Sequence, residues 1–308
     1  VEVIYKGKNF KSLDNLLQVL AECFFGALPA NEYSFSFTRL HDFQISRAIT
    51  HDLNRLAAHL AFGTLARHTA SVVFSRLILS GRSYTETMLP LLRPPRLDLD
   101  ELAKIQKRIA GLVKTKDGFS KLGRIAGCDM SFASGDIAYA ACAVLDYQEL
   151  NVLEKRVRKV KLKFPYIPTF LSFRELDGLL KVTAGVAADV FMVGAQGLAH
   201  PRRAGLACHI GVVLDRPTLG VAKSRLIGEA ETPANRKGAY TLLKDGRDIV
   251  GAVVRTQLNS KPVYVSVGHK LALKTATKIA LATSRGHRLP KPLLVAHRLA
   301  TEAMHRSF

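Results

Sequence analysis

The sequence predicts an α/β domain of three layers around a mixed central sheet, preceded by a mainly helical N-terminal segment. Three observations predict it. Strand-like segments follow one another at Arg124 to Phe132, Ile137 to Tyr147 and Glu154 to Phe164, with no helix between them. Helix-like and strand-like segments then alternate to the end of the chain, as in layered α/β domains. A break at Arg93-Pro94-Pro95 separates this pattern from what precedes it, because proline fixes φ and removes backbone donors. The expected units are therefore 1–95 and 96–308.

In the first unit, Leu13, Leu16, Leu17, Leu20 and Phe24 recur at helical spacing, and a second helix is expected over Arg55 to Ile78 with Gly63 as a weak point. The short run Arg55 to Gly63 faintly resembles a segment of the flavin domain of photolyases; a structural helical appendage is the reading adopted. In the second unit, Asp98 is placed to cap a helix, with Glu101 completing a capping box and Leu99, Leu102, Ile105, Ile109 and Val113 on one face. In the third strand, Val160, Leu162 and Phe164 alternate with Lys159, Lys161 and Lys163, giving one apolar and one basic face. There follow a helix at Leu176 to Ala187, a strand at Val190 to Val193, a helix at Ala204 to Val213 and a strand at Thr218 to Ala222. A hairpin turning at Lys244-Asp245-Gly246, a strand at Val263 to Val267, and helices at Leu271 to Ala282 and Leu293 to Met304 close the chain. This order is similar to that of ribonuclease-H-like folds.

The net charge of +20 over 308 residues suits a polyanionic partner, since Lys and Arg release condensed counterions on meeting phosphates. A solubilising surface or an anionic membrane face would carry the same charge. Trp is absent, which argues against a single-strand stacking platform. Cys23, Cys128, Cys142 and Cys208 form no Cys-x-x-Cys pair, as expected of a reduced, cytoplasmic protein. The apolar stretch from Leu13 to Leu28 is interrupted by Asp14, Asn15, Gln18 and Glu22, so no membrane span is expected, and the chain reads as a monomer. It opens on Val1 rather than Met, which leaves room for a missing start or leader.

Three blocks carry polar chemistry in apolar or rigid settings. Asp129 lies in the apolar run Ile125 to Phe132, where burying a carboxylate is costly unless a cation or hydrogen bonds compensate; the rival reading is a strand-end Asp capping a turn. Pro165-Tyr166-Ile167-Pro168 is a stiff loop whose Tyr166 and Ile167 could enter a base step and replace lost stacking, or could tuck into the core. Glu175, in Phe173-Arg174-Glu175, stands at an expected helix start, where its bland role is to complement the dipole. The run Gly194-Ala195-Gln196-Gly197-Leu198-Ala199-His200-Pro201-Arg202-Arg203 is a small-residue turn leading into a basic helix start, an arrangement suited to phosphate.

With Gly220-Val-Ala-Lys-Ser-Arg225, Gly268-His269 and Ala296-His297, these blocks recur in the order found in endonuclease V, which the chain resembles from about Asp98 onward. The resemblance implies a metal-dependent nuclease that hydrolyses the phosphodiester 3′ to a deaminated base, inosine, in DNA or RNA. By it, Asp129 and Glu175 would hold Mg²⁺, or Mn²⁺ in its place; His297 would sit at the same acidic centre, and Lys223 would approach the scissile phosphate. Periodicity supports an inward His297, since Leu293, Ala300 and Met304 share its helix face. A packed core histidine and a solvated lysine are the rival readings of His297 and Lys223. The resemblance assigns Pro165, Tyr166, Ile167, Pro168, Gln196, Gly197, His200, Arg202, Arg203 and His269 to nucleic-acid binding; for His200 and His269, holding a turn is an equal alternative.

The pattern fails at one decisive place. The family motif begins Asp-Gly-Gln-Gly, and Gly194-Ala195-Gln196-Gly197 lacks its carboxylate, which predicts weak or absent turnover. A degenerate homologue that binds without cutting is the alternative this implies. Asp189 cannot substitute, since five residues of extended strand put it ~16 Å away on the other face. Ala195 and Thr169 replace family glycines, expected to add bulk around the base pocket, and Val267 replaces a proline.

Overall fold

The computed structural model describes residues 3–5, 8–10 and 97–306. The chain divides into two compact units, Val1–Tyr84 and Thr85–Phe308. In the first unit, strands β1 (Val3–Tyr5) and β2 (Lys8–Phe10) pair antiparallel. The helices expected over Leu13 to Phe24 and Arg55 to Ile78, Cys23 and the photolyase-like run lie outside the described residues.

The second unit is built on one eight-stranded mixed sheet. Its strands are β3 (Arg124–Phe132), β4 (Ile137–Asp146), β5 (Val152–Lys161), β6 (Val190–Val193), β7 (Thr218–Ala222), β8 (Tyr240–Asp245), β9 (Asp248–Val254) and β10 (Val263–His269). They lie in the order β5-β4-β3-β6-β7-β10-β9-β8. β3, β6 and β7 are mutually parallel and every other pairing is antiparallel. The helices are α1 (Leu99–Leu112), α2 (Leu171–Thr183), α3 (Leu206–Leu214), α4 (Leu273–Ala282) and α5 (Lys291–His305).

The pleat sorts side chains onto two cores. Ala126, Cys128, Met130 and Phe191 pack against Leu176 and Leu179 of α2 and Leu206 and Ile210 of α3. Ile125, Val190, Met192 and Leu219, one residue out of phase, pack against Ile279 of α4 and Leu293 and Ala296 of α5. Helices thus cover both faces, the three-layer arrangement the sequence order predicts. Gly127 lets α5 lie directly on β3, because a Cβ there would stand 2.2 Å from the Pro292 carbonyl. α1 packs outside α3 through Leu102, Ile105 and Ile109, which meet Phe170, Phe173 and Cys208.

Several boundaries differ from the sequence reading, two of them near the site, and one cap is incomplete. β5 ends at Lys161, yet Leu162 and Phe164 beyond it are still buried. α2 begins at Leu171 rather than Leu176, because Ser172, Phe173, Glu175 and Leu176 already belong to its buried stripe. Glu175 is therefore inside the helix and does not cap it. Asp98 does cap α1, accepting from the Asp100 and Glu101 amides, but Glu101 turns to Lys104 at 2.6 Å, so the reciprocal half of the capping box is absent.

Candidate active site

β3 and β6 run side by side in register, Cys128 opposite Val193, so the next residues, Asp129 and Gly194, meet at the carboxyl ends of the parallel pair. The Gly194 amide donates to the Cys128 carbonyl at 3.1 Å. A Cβ built on Gly194 would lie 2.8 Å from Asp129 Oδ1, and the Gly194 backbone does not occupy the left-handed region. The position therefore accepts a side chain, and that side chain would point at the Asp129 carboxylate.

The other two members of this centre come from opposite layers. From α5, His297 Nδ1 stands 3.0 Å from Asp129 Oδ2, a close charge contact rather than a well-aligned hydrogen bond. That contact holds His297 above the usual imidazole range, against partial burial and the opposing charge of Lys223. His297 is half-exposed rather than packed in the core. From α2 comes Glu175, 8% exposed and without a hydrogen-bond or ion-pair partner among the described residues. Burial, with the Asp129 charge nearby, pushes its carboxyl up to about 8, with Arg174 only partly offsetting this. Lys223, just past β7, is exposed; its carbonyl is held by Arg288 at 2.7 Å.

Among the described residues, no group of three or more His, Cys, Asp and Glu stands together as a metal site. The donors present nonetheless suit a hard cation in kind. Glu175 is a buried acid with no partner beside a second carboxylate, and one or two carboxylates are what Mg²⁺ ordinarily takes from protein. Gly194, which faces Asp129, adds no donor of its own.

The rigid loop stands outside the core. Pro165 and Pro168 are exposed, Tyr166 is 68% exposed, and Ile167 is anchored against the α1 cluster. Tyr166 is therefore not tucked in.

A family model described as Endonuclease V matches residues 107–298. The endonuclease V of Methanothrix thermoacetophila is 44% identical over 205 residues, covering 65% of this chain and 90% of its own. The crystal structure of endonuclease V from Streptomyces avermitilis superposes with a TM-score of 0.65 at 33% identity, covering 69% of this chain and 95% of that one. The chain belongs to the endonuclease V family. A Ciona intestinalis endonuclease V, solved with a 23-mer DNA containing an inosine followed by a ribo-adenosine, superposes at a TM-score of 0.61 and 26% identity, covering 68% of this chain and 98% of that one.

The other endonuclease V motif residues divide by what they touch. Gln196 donates through Nε2 to the Ser224 carbonyl at 2.9 Å, holding the segment that follows Lys223. Gly197 is demanded by packing, since a Cβ would fall 2.1 Å from the Val267 carbonyl. His200 is buried, its Nε2 2.9 Å from the Thr169 carbonyl and its Nδ1 accepting from the Arg202 amide. Burial lowers it to about 4, so it is neutral and holds the turn. Arg202 stacks on Phe170 and donates to Gln106 and Thr169. Arg203 donates to Asp245 at 2.7 Å and Asp248 at 3.0 Å. Both guanidinium groups thus have partners within the chain. His269 is 3% exposed, paired with Asp215 and opposite Thr218 at the start of β7, whereas Lys223 follows its end. The sheet therefore places His269 away from the acidic centre, where burial lowers its pKa.

The two bulk-adding substitutions act differently from expectation. The Ala195 methyl is buried in the core beside α3, not turned toward a ligand. Thr169 adopts φ +67, a conformation glycine takes freely and a β-branched residue rarely does. Its carbonyl collects Gln106, His200 and Arg202, and its hydroxyl accepts from Arg202 at 2.6 Å. Val267 is a buried core residue of β10. Gln106 was missed by sequence reading; its one signal is a polar residue beside Ile105 on the inward face of α1, where it is 1% exposed.

Proposed function

We propose that this chain is a nucleic-acid endonuclease that hydrolyses the phosphodiester 3′ to inosine, at a rate held down by Gly194. The observation that supports it is the 3.0 Å contact of His297 with Asp129, the carboxylate that Gly194 faces, with the buried and unpartnered Glu175 within electrostatic reach of Asp129. Asp129 and Glu175 would hold Mg²⁺ or Mn²⁺, which when bound supplies the Lewis acidity and activated water of metal-assisted hydrolysis. His297 orients Asp129 through their 3.0 Å contact. Lys223, exposed and within electrostatic reach of His297, offers positive charge to the phosphate. Tyr166, held out on its loop, fills the stack that the displaced base leaves. His200, Arg202 and Gln196 act by shaping the two loops that carry these groups. DNA with deaminated bases is supported as substrate by the inosine-containing DNA of the Ciona protein; RNA shares the same chemistry. No helix among the described residues is long and apolar enough to cross a membrane. A cytoplasmic monomer is the setting we infer, with Cys128, Cys142 and Cys208 free and buried; the N-terminal residues 1–95 are assigned as a separate segment.

A second reading is favoured by Gly194 itself: binding without cutting. Incubating an inosine-containing oligonucleotide with Mg²⁺ or Mn²⁺ separates the two, using the unaltered protein and Gly194→Asp. Slow cutting that the variant accelerates supports the nuclease. Binding with no cutting until Gly194→Asp restores it supports the second reading, and absence of binding by both proteins overturns each.

A further inference from the structure

We infer that the outer edge of the sheet, β5, is a track for the phosphate backbone of the same nucleic acid, an inference that rests on the function proposed above. Among the described residues β5 is a terminal strand, paired only with β4. In register, Asp129 opposes Ala141 and Ala141 opposes Val157, so these three residues share one face of the sheet. Two strand spacings, ~10 Å, separate Asp129 from Val157. Side chains alternate with period two, so Lys155, Lys159 and Lys161 project on that same face. All three are exposed, as is Lys163 just beyond the strand, and none has an ion-pair partner among the described residues. The one acid of β5, Glu154, is taken by Arg156. Lys159 is steadied over the Tyr139 ring, its Nζ 5.9 Å from the centroid.

The strip also leads somewhere. Three residues after Lys163 stands the exposed Tyr166, so the basic edge runs directly into the loop proposed to enter the base stack. Alternate residues on a strand repeat at ~6.8 Å, so Lys159 and Lys161 stand one such step apart and Lys155 two steps from Lys159, a row of positive charge along the edge. Lysines on an edge strand also keep foreign strands from adding to it. That role needs charge alone, whereas a backbone track also uses the face shared with Asp129 and the continuity with Tyr166.

The test is the salt dependence of binding to a double-stranded inosine-containing DNA, read by fluorescence anisotropy. The triple variant Lys155→Gln, Lys159→Gln, Lys161→Gln should bind more weakly at low salt, and its slope of log affinity against log salt should be shallower by about 2–3. Each single Lys→Gln variant should lower the slope by about 0.9, which keeps the test open if the triple variant folds poorly. A control triple at the far end of β3, Lys121→Gln, Arg124→Gln and Arg216→Gln, should leave the slope unchanged. A wild-type slope in the β5 variants, or an equal loss in the control, overturns the inference while leaving the proposed function standing. So does a β5 variant that self-associates but binds as before, since edge protection would then be its whole role. Failure of the unaltered protein to bind overturns the proposed function, and this inference with it.

Discussion

Two aspartates flank the same pair of parallel strands, and their surroundings are opposite. At the amino ends of β3 and β6, Asp189 Oδ2 accepts from the Gly123 and Arg124 amides, each at 2.8 Å. At the carboxyl ends, Asp129 meets a second carboxylate in Glu175, a histidine, and a glycine where a side chain would fit. One carboxylate is satisfied by backbone donors and ties two strands together. The other accepts one backbone amide, from Met130 at 2.9 Å, and otherwise faces side chains: His297, which partly offsets its charge, and Glu175, which opposes it. An acid in a strand therefore reveals its role through what its oxygens face, since burial and sequence neighbourhood are similar for both.

The largest test of that contrast is Gly194→Asp. Restoring the third carboxylate should raise single-turnover cleavage of an inosine oligonucleotide with Mg²⁺ by about 10²–10³-fold, the scale of losing one preorganised electrostatic group. Asp129 must swing slightly to admit it, which the end of a side chain does readily. An unchanged rate would mean that Gly194 is not what limits the centre.

Glu175 gives the next effect, read in metal-free protein with chelator present. Its carboxyl is raised from 4.5 to about 8 in the folded chain, so the folded state binds a proton that the unfolded state releases earlier. Stability is then greatest below about pH 4.5 for this group and falls as pH rises toward 8, by on the order of a few kcal/mol. Glu175→Gln should flatten that fall in urea titrations across pH while abolishing cleavage. A variant as pH-sensitive as the parent would show that Glu175 is not the buried acid in question.

Asp189→Ala should cost about 1–2 kcal/mol, because two amides lose their acceptor at a partly exposed site. Its binding and cleavage should match the parent. Loss of cleavage without loss of stability would collapse the distinction between the two ends. The smallest effect is expected at Thr169. Thr169→Ala keeps the left-handed strain and removes the hydroxyl bond to Arg202, so it should destabilise by about 1 kcal/mol. Thr169→Gly releases the strain as well and should be less destabilising than Ala by about 1 kcal/mol. Equal effects in urea unfolding would remove the strain from the account.

Much of the fold was legible because its signals are local. β3, β6 and β7 agree at both ends with their apolar runs, since a buried parallel strand reads as continuous hydrophobicity. α2 was displaced by five residues because Pro165 and Pro168 masked a helix that starts directly after Thr169 turns the chain. Within the site, the sequence shows a glycine at 194, but that it faces Asp129 was not legible in it. Nor were the fates of Arg202 and Arg203, because Gln106, Asp245 and Asp248, which receive them, are distant in the chain.

Pattern along the chain was enough for the α/β class and for the succession of strands and helices, each of which depends on neighbours a few positions away. Distances across layers were not available to it. That Gly194 faces Asp129, that Glu175 is buried without a partner, that His297 reaches over from α5, and that His269 lies at the other end of the sheet all follow from strand register and from which face each helix covers. Those are set by packing of the whole sheet between its helices, and a one-residue slip in any strand would have reversed them.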